Sequence, residues 1–314
     1  MLAHTSQRDI TGTVNLDDAA AVAGACIAIL QERYGHDAIN ASLIRQAFED
    51  VRAAFWGENP NWLACDTPYH DLSHSLDTAL VVARMTDGFE TGHGVGACSA
   101  LGPEESTVAI LLGLMHDAGF LREPALAHVH GATLTRDHEA RSVSFARDYL
   151  GGTALEHFAH QADLIHATNL THNVSAATGM PAKSRSIADI IGTADLLAQM
   201  SDRYYLEKCF HFLYAEFVTA GLDRTRDALG RETVIYSSPE ELLLKTPAFY
   251  EHLVKDRLEN EFAHAYRYLE LHFRGQDPYM TAVQANIHQL QHLITRGDLG
   301  SLRRRPRSPL RPPR

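Results

Sequence analysis

The sequence predicts an all-α protein, and three observations carry that expectation. Helix formers (Ala, Leu, Glu, Arg, Gln) dominate, runs alternating apolar and polar residues at period two are scarce, and no linker divides the 314 residues. A chain of that length can bury one large core or two small ones, because the buried fraction of surface rises with size. A single multi-helix domain is therefore expected over residues 15–297, with an N-terminal extension at 1–14 and an Arg/Pro-rich tail at 298–314.

Asn15 suits the cap of a first helix that carries Asp17 and Asp18 in its first turn, where acids complement the positive end of the helix dipole, and Ile27, Ile29 and Leu30 on its apolar face. A second helix is expected from Asp37 to Phe55, broken by Gly57 to Pro60. Pro68 fits a first helical position and opens a third, Tyr69 to Met85. The stretch Gly88 to Gly102 holds five glycines and reads as a loop. Pro103, Glu104 and Glu105 restart a helix that runs through the apolar segment Val108 to Met115 into His116 and Asp117. After an irregular stretch from Gly119 to Thr133, Thr135 to Leu150 is helical and closes on Gly151 and Gly152. Leu155 to Thr168 is the next helix. A loop spans Asn173 to Met180, and a helix from Pro181 to Met200 continues towards Phe217. Gly221 to Ser238 is a polar connection, Pro239 and Pro247 start helices ending near Phe273, and a last helix covers Tyr279 to Ile294. Beyond Arg296 almost nothing apolar is available to offset the entropy of ordering, so the tail is expected to be disordered.

The most apolar run, Val108 to Met115, is far shorter than the roughly 20 residues of a spanning helix. Met1 to Thr13 lacks an apolar signal core, so the expected location is cytoplasmic. Cys26, Cys65, Cys98 and Cys209 lie far apart with no Cys-x-x-Cys pair, which points to buried thiols and away from a disulfide framework or a thiolate zinc site. Six arginines fall in the last twelve residues (Arg303, Arg304, Arg305, Arg307, Arg311, Arg314), and removing their charges from the net −11 leaves −17 on the body. An acidic body does not suit duplex nucleic acid, which needs a basic face to displace counterions, although the tail could bind anions. The sequence does not specify an oligomeric state. The 19 histidines are the unusual feature, and they direct attention to imidazoles paired with carboxylates at helical spacing.

His70 and His74 stand four residues apart in Pro68-Tyr-His-Asp-Leu-Ser-His-Ser-Leu-Asp77, so on a helix both project from one face. His116 and Asp117 end the most apolar helix, and Ala118-Gly-Phe-Leu121 continues apolar beyond them. A buried imidazole and carboxylate side by side are costly unless something compensates, and a metal ion would. In Ile190-Ile-Gly-Thr-Ala-Asp195-Leu-Leu197 a single carboxylate interrupts another apolar helix; alone it is better read as a buried hydrogen-bonding group than as a ligand. Together, His74, His116, Asp117 and Asp195 bring nitrogen and oxygen donors from separate helices, a set that fits a hard or borderline divalent ion.

The order His, His-Asp, Asp resembles that of the HD superfamily of metal-dependent phosphohydrolases. The flanking residues are most similar to its cyclic-nucleotide phosphodiesterase branch. That branch carries Tyr-His-Asn-x-x-His-Ala-x-Asp, similar to Tyr69-His-Asp-Leu-Ser-His-Ser-Leu-Asp77 here; its Ala-Thr-Asp-Met and Ala-Asp segments resemble Ala167-Thr-Asn-Leu170 and Ala194-Asp195. The likeness spans roughly Pro68 to Asp202 and implies an HD/PDEase-type helical catalytic domain. It implies that His74, His116, Asp117 and Asp195 hold a first metal (Zn, Mg, Mn or Fe), that Asp117 bridges to a second, weaker site, and that His70 protonates the leaving alkoxide of a small phosphorylated or nucleotide substrate. Asp71 or another carboxylate is expected to orient His70. The family's Asn is Asp71 here, and its His-Asp-x-x-His-Pro-Gly sequence is replaced by His116-Asp-Ala-Gly-Phe120, which leaves His138 with Glu139 as the best further candidates for the second metal, ahead of His128, His130, His160 and His166. The purine-clamping glutamine has no counterpart, since no Gln occurs from Met200 to Gly275. Two other readings keep the fold: a di-iron oxygenase, and a non-catalytic metal- or ligand-sensing domain.

Overall fold

The computed structural model describes residues 7–93, 100–171, 179–227, 229–303 and 306. Eleven α-helices and a two-stranded hairpin make up these residues, together with 3₁₀ and π turns. The domain is all-α, as the composition predicts.

Helix α3 (Leu72–His93) is the axis of the fold, packed against α1 (Ala19–Tyr34), α4 (Pro103–Met115), α6 (Ala182–Met200) and α10 (Tyr268–His272). Its residues Leu76 and Ala79 to Ala83 are fully buried on every side, as expected of a helix apolar around its whole circumference. Its course departs from expectation at both ends. It begins at Leu72 and not at Tyr69, so His70 lies in the turn before the helix. It also runs on past Gly88 and Gly92, through the first part of the expected loop. Gly88 is needed there for packing: a Cβ would stand 1.7 Å from the Tyr268 carbonyl oxygen of α10. Residues 94–99 of that loop, Cys98 included, lie outside the described residues, as do 172–178 of the loop expected from Asn173 to Met180.

Helix α1 is capped by Asp18, whose Oδ1 accepts from the Ala20 and Ala21 N–H groups, so Asn15 and Asp17 precede it. The N-terminal extension, from residue 7, belongs to the domain. Asp9 is 4% exposed, ties its own turn through Thr11, Thr13 and Val14, and meets Arg84 of α3 at 2.6 Å. Helix α2 (Ala41–Phe55) starts on Asn40, after a 3₁₀ turn at His36–Ala38, and α4 and α5 (His138–Gly151) fall close to expectation. Glu156–Thr168 is a 3₁₀ stretch.

After α6 come α7 (Tyr205–Lys208), a π turn (Cys209–Leu213) and α8 (Tyr214–Ala220). The expected polar connection holds a hairpin, β1 (Arg224–Arg226) antiparallel to β2 (Glu232–Val234), with Thr225 opposite Thr233. Pro247 lies inside α9 (Pro239–Phe249) instead of starting a helix, and π turns at Tyr250–Val254 and Arg257–Glu261 follow it. Helix α11 (Pro278–Arg296) closes the bundle. The expected disorder from 298 onward is corrected at its start: Leu299–Arg303 is a 3₁₀ turn whose Leu299 and Leu302 are buried, with the Leu302 carbonyl accepting from His211. Two leucines are thus enough apolar surface to dock it. Arginines 304, 305, 307, 311 and 314 lie outside the described residues. Among the described residues no helix is long and apolar enough to cross a membrane.

Candidate metal centre

Three apolar helices converge on one polar cluster. His74 lies in the first turn of α3, and the Asp71 Oδ1 accepts from its backbone N–H at 3.0 Å, capping the helix. His116 follows the last residue of α4, and its Nδ1–H donates to the Gly113 carbonyl at 2.8 Å, which leaves the Nε2 lone pair facing inward. Asp117 comes next, and Asp195 projects from the middle of α6. All four are at most 8% exposed.

The two imidazole Nε2 atoms are 3.2 Å apart. Asp195 Oδ1 stands 3.0 Å from that of His74 and 3.4 Å from that of His116. Asp117 Oδ2 stands 3.6 and 3.3 Å from the same two nitrogens. Ligand atoms bound about 2.0–2.1 Å from one ion at tetrahedral corners are about 3.3 Å apart, and these five separations bracket that value. Ligand atoms of His74, His116 and Asp195 all lie within 4.8 Å of one another, a buried group that could hold a metal ion. Asp117 Oδ2 is buried with no hydrogen-bond partner among the described residues, an orphan that a cation would satisfy.

The electrostatics agree with the geometry. Burial opposes charge on His116, but Asp117 and Asp195 outweigh it and hold the imidazole well above the usual histidine range. Burial likewise opposes the Asp117 and Asp195 carboxylates, and the surrounding imidazoles hold both well below the carboxylate range. The pocket is built for positive charge.

His70 stands beside this cluster, held by a residue that sequence reasoning missed. Glu216 of α8, 3% exposed, accepts from the Tyr69 N–H at 2.6 Å and pairs with His70 Nδ1 at 2.7 Å. Burial lowers the His70 pKa, but Glu216 overrides it and raises the value to about 9. Asp71 therefore does not orient His70. Its Oδ1 caps α3, its Oδ2 has no hydrogen-bond partner among the described residues, and burial pushes the carboxyl up to about 7. Gln199 was also missed: its amide donates to Asp195 Oδ1 at 3.3 Å and its oxygen accepts from the Tyr69 hydroxyl at 3.1 Å. Nothing distinguishes either residue locally, because each partner is far away in sequence or hidden inside a helix.

The turn after Asp117 is pinned by α5. The Gly119 N–H donates to Ser142 Oγ at 2.8 Å, its carbonyl accepts from Arg141, and a Cβ on it would stand 1.9 Å from the His138 carbonyl oxygen. This brings His138 to the site. Its Nδ1–H donates to the Thr135 carbonyl at 2.7 Å, with Glu139 Oε2 at 3.1 Å, and its Nε2 is 3.7 Å from Asp117 Oδ1. Phe120 stacks on both His70 and His138, with ring centroids 4.5 Å away in each case. Of the other candidate histidines, His128 is exposed, His130 caps the turn Gly131–Leu134, and His160 donates to the His157 carbonyl on the surface. His166 is half-buried on the 3₁₀ stretch.

Fold and site together define an all-α protein with a buried His-His-Asp group able to hold a metal. Compared with known families, the chain matches the Npun_R2479-like family over residues 123–293, more than half of its length, and belongs to that family. The matched region contains His138, Asp195 and Glu216 and begins after His74, His116 and Asp117. No curated protein matches the chain.

Proposed function

We propose that this protein is an HD-type metal-dependent phosphohydrolase acting on a small phosphodiester of nucleotide-like character. The observation that carries the reading is the convergence of four ligand-type atoms at 3.0–3.6 Å beside an imidazole held by its own carboxylate. His74, His116, Asp117 and Asp195 would hold a divalent ion, Zn, Mg, Mn or Fe by the nitrogen and oxygen character of the donors. Such an ion would supply Lewis acidity towards a phosphoryl oxygen and would lower the pKa of a water bound to it. Asp117 turns its second oxygen towards His138, and these two residues would hold the weaker second ion of this reading.

His70 performs the proton transfer. Glu216 fixes its Nδ1 at 2.7 Å, so the Nε2–H is the proton delivered to the leaving alkoxide oxygen. Phe120 holds the ring plane by stacking. We place the reaction in the cytoplasm; the described cysteines, Cys26, Cys65 and Cys209, are buried free thiols.

A second reading, a di-iron oxygenase on the same fold, draws on His138, because an imidazole at the second position suits iron. Metal content by elemental analysis, paired with hydrolysis of bis(p-nitrophenyl) phosphate, tests the main proposal on wild type, Asp117→Ala and His70→Ala. Loss of metal and activity in the first variant, and of activity alone in the second, supports it. A metal-replete wild type with no esterase activity overturns it and favours the oxygenase.

A further inference from the structure

A second feature of α3 is unused by the chemistry above. A small cavity of about 20 Å³ borders His74 and is lined also by Ser73, Asp77, Gln199, Asp202 and Lys208. Asp202 and Lys208 are paired with each other at 2.5 Å. Asp77 is different: it is 7% exposed, and its Oδ1 has no hydrogen-bond partner among the described residues. A buried carboxylate oxygen left unpaired costs the full desolvation of that atom. The cavity exceeds the roughly 10–15 Å³ that one water needs, and it offers the several polar partners that a buried water requires.

His74 has the complementary need. Its ring contacts to His116, Asp117 and Asp195 all run through Nε2, and among the described residues none runs through Nδ1. A metal-ligating imidazole ordinarily donates its other N–H to a carboxylate, a carbonyl or a water, which sets both its tautomer and its ring orientation. Asp77 follows His74 by three residues on α3, so the two side chains share a helix face.

We propose that Asp77 is a positioning residue for His74, acting through one water in this cavity that accepts from His74 Nδ1–H and donates to the Asp77 carboxylate. The inference rests on the metal reading and deepens it. His74 is held as the Nδ1–H tautomer with its Nε2 lone pair on the cluster, just as the Gly113 carbonyl holds His116. The carboxylate also makes the imidazole a better donor.

The test is Co²⁺ binding to full-length protein, followed by visible absorption, together with melting of the metal-free protein, for wild type, Asp77→Ala and Asp77→Asn. Asp77→Ala is expected to weaken Co²⁺ binding about 10- to 100-fold. Its metal-free melting temperature should stay close to that of wild type, because the water keeps the other polar partners that line the cavity. Asp77→Asn, which keeps an acceptor oxygen, should bind closer to wild type. Equal Co²⁺ affinity in all three proteins, or a loss of affinity matched by a lower metal-free melting temperature, overturns the positioning role and leaves the metal reading standing. A wild type that takes up no Co²⁺ overturns the metal reading itself, and this inference with it.

Discussion

Two imidazole–carboxylate assemblies lie side by side in this protein and are built differently. In the His70–Glu216 pair one carboxylate meets one imidazole, and its other oxygen accepts a backbone N–H, so every polar atom at the contact is matched. In the cluster of His74, His116, Asp117 and Asp195, two Nε2 atoms face each other at 3.2 Å and one carboxylate oxygen has no hydrogen-bond partner among the described residues. The pair is complete within the protein, whereas the cluster is satisfied only by added positive charge. Pairing within the chain suits the proton-donor role proposed for His70, whereas the unmatched cluster could hold a metal ion.

Predictions follow from breaking each half separately, the largest effect first. Asp195→Ala removes one corner of the cluster and should reduce both metal content by elemental analysis and esterase activity to background. His70→Ala should lower kcat about 10²- to 10⁴-fold, as for loss of a general acid, while bound metal is unchanged. Retained metal with full activity in that variant would reassign the proton donor.

Glu216→Gln sharpens the contrast through pH. The folded pKa of His70 is raised to about 9, so its protonated form persists below that pH and is lost above it. Activity should accordingly fall as pH rises through about 9. Without the Glu216 charge that alkaline limb should move down towards the ordinary histidine value of about 6.5, read from a profile of kcat against pH. By linkage, stability from the pair is fully present below the unfolded pKa and lost as pH rises through the folded value.

Gly119→Ala tests whether α5 holds the Asp117 turn. Its Cβ would meet the His138 carbonyl, so a destabilisation of about 1–3 kcal/mol in denaturant melts is expected, with weakened metal binding. The smallest effect is reserved for His130→Ala. This residue is exposed and caps the turn Gly131–Leu134, and its loss should leave metal content and activity unchanged.

The sequence by itself determined the helical class and nominated polar residues that interrupt apolar helices. His116 and Asp117 after Val108–Met115, and Asp195 within Ile190–Leu197, are conspicuous because a buried polar group in such a setting is costly without compensation. That logic is local, so it can be read from composition and spacing. It misled at His70, where the spacing of four suggested a shared helix face, but Asp71 caps α3 and leaves His70 in the preceding turn. Tertiary structure alone decided the partners: Glu216 reaches His70 across 146 positions, Asp195 reaches His74 across 121, and Asp9 closes on Arg84 from a segment taken for an extension. The docking of Leu299 and Leu302 belongs with these. Helix formation depends on neighbours in sequence, whereas ion pairing and docking depend on which surfaces meet when α3 is buried on every side, and no local pattern encodes that meeting.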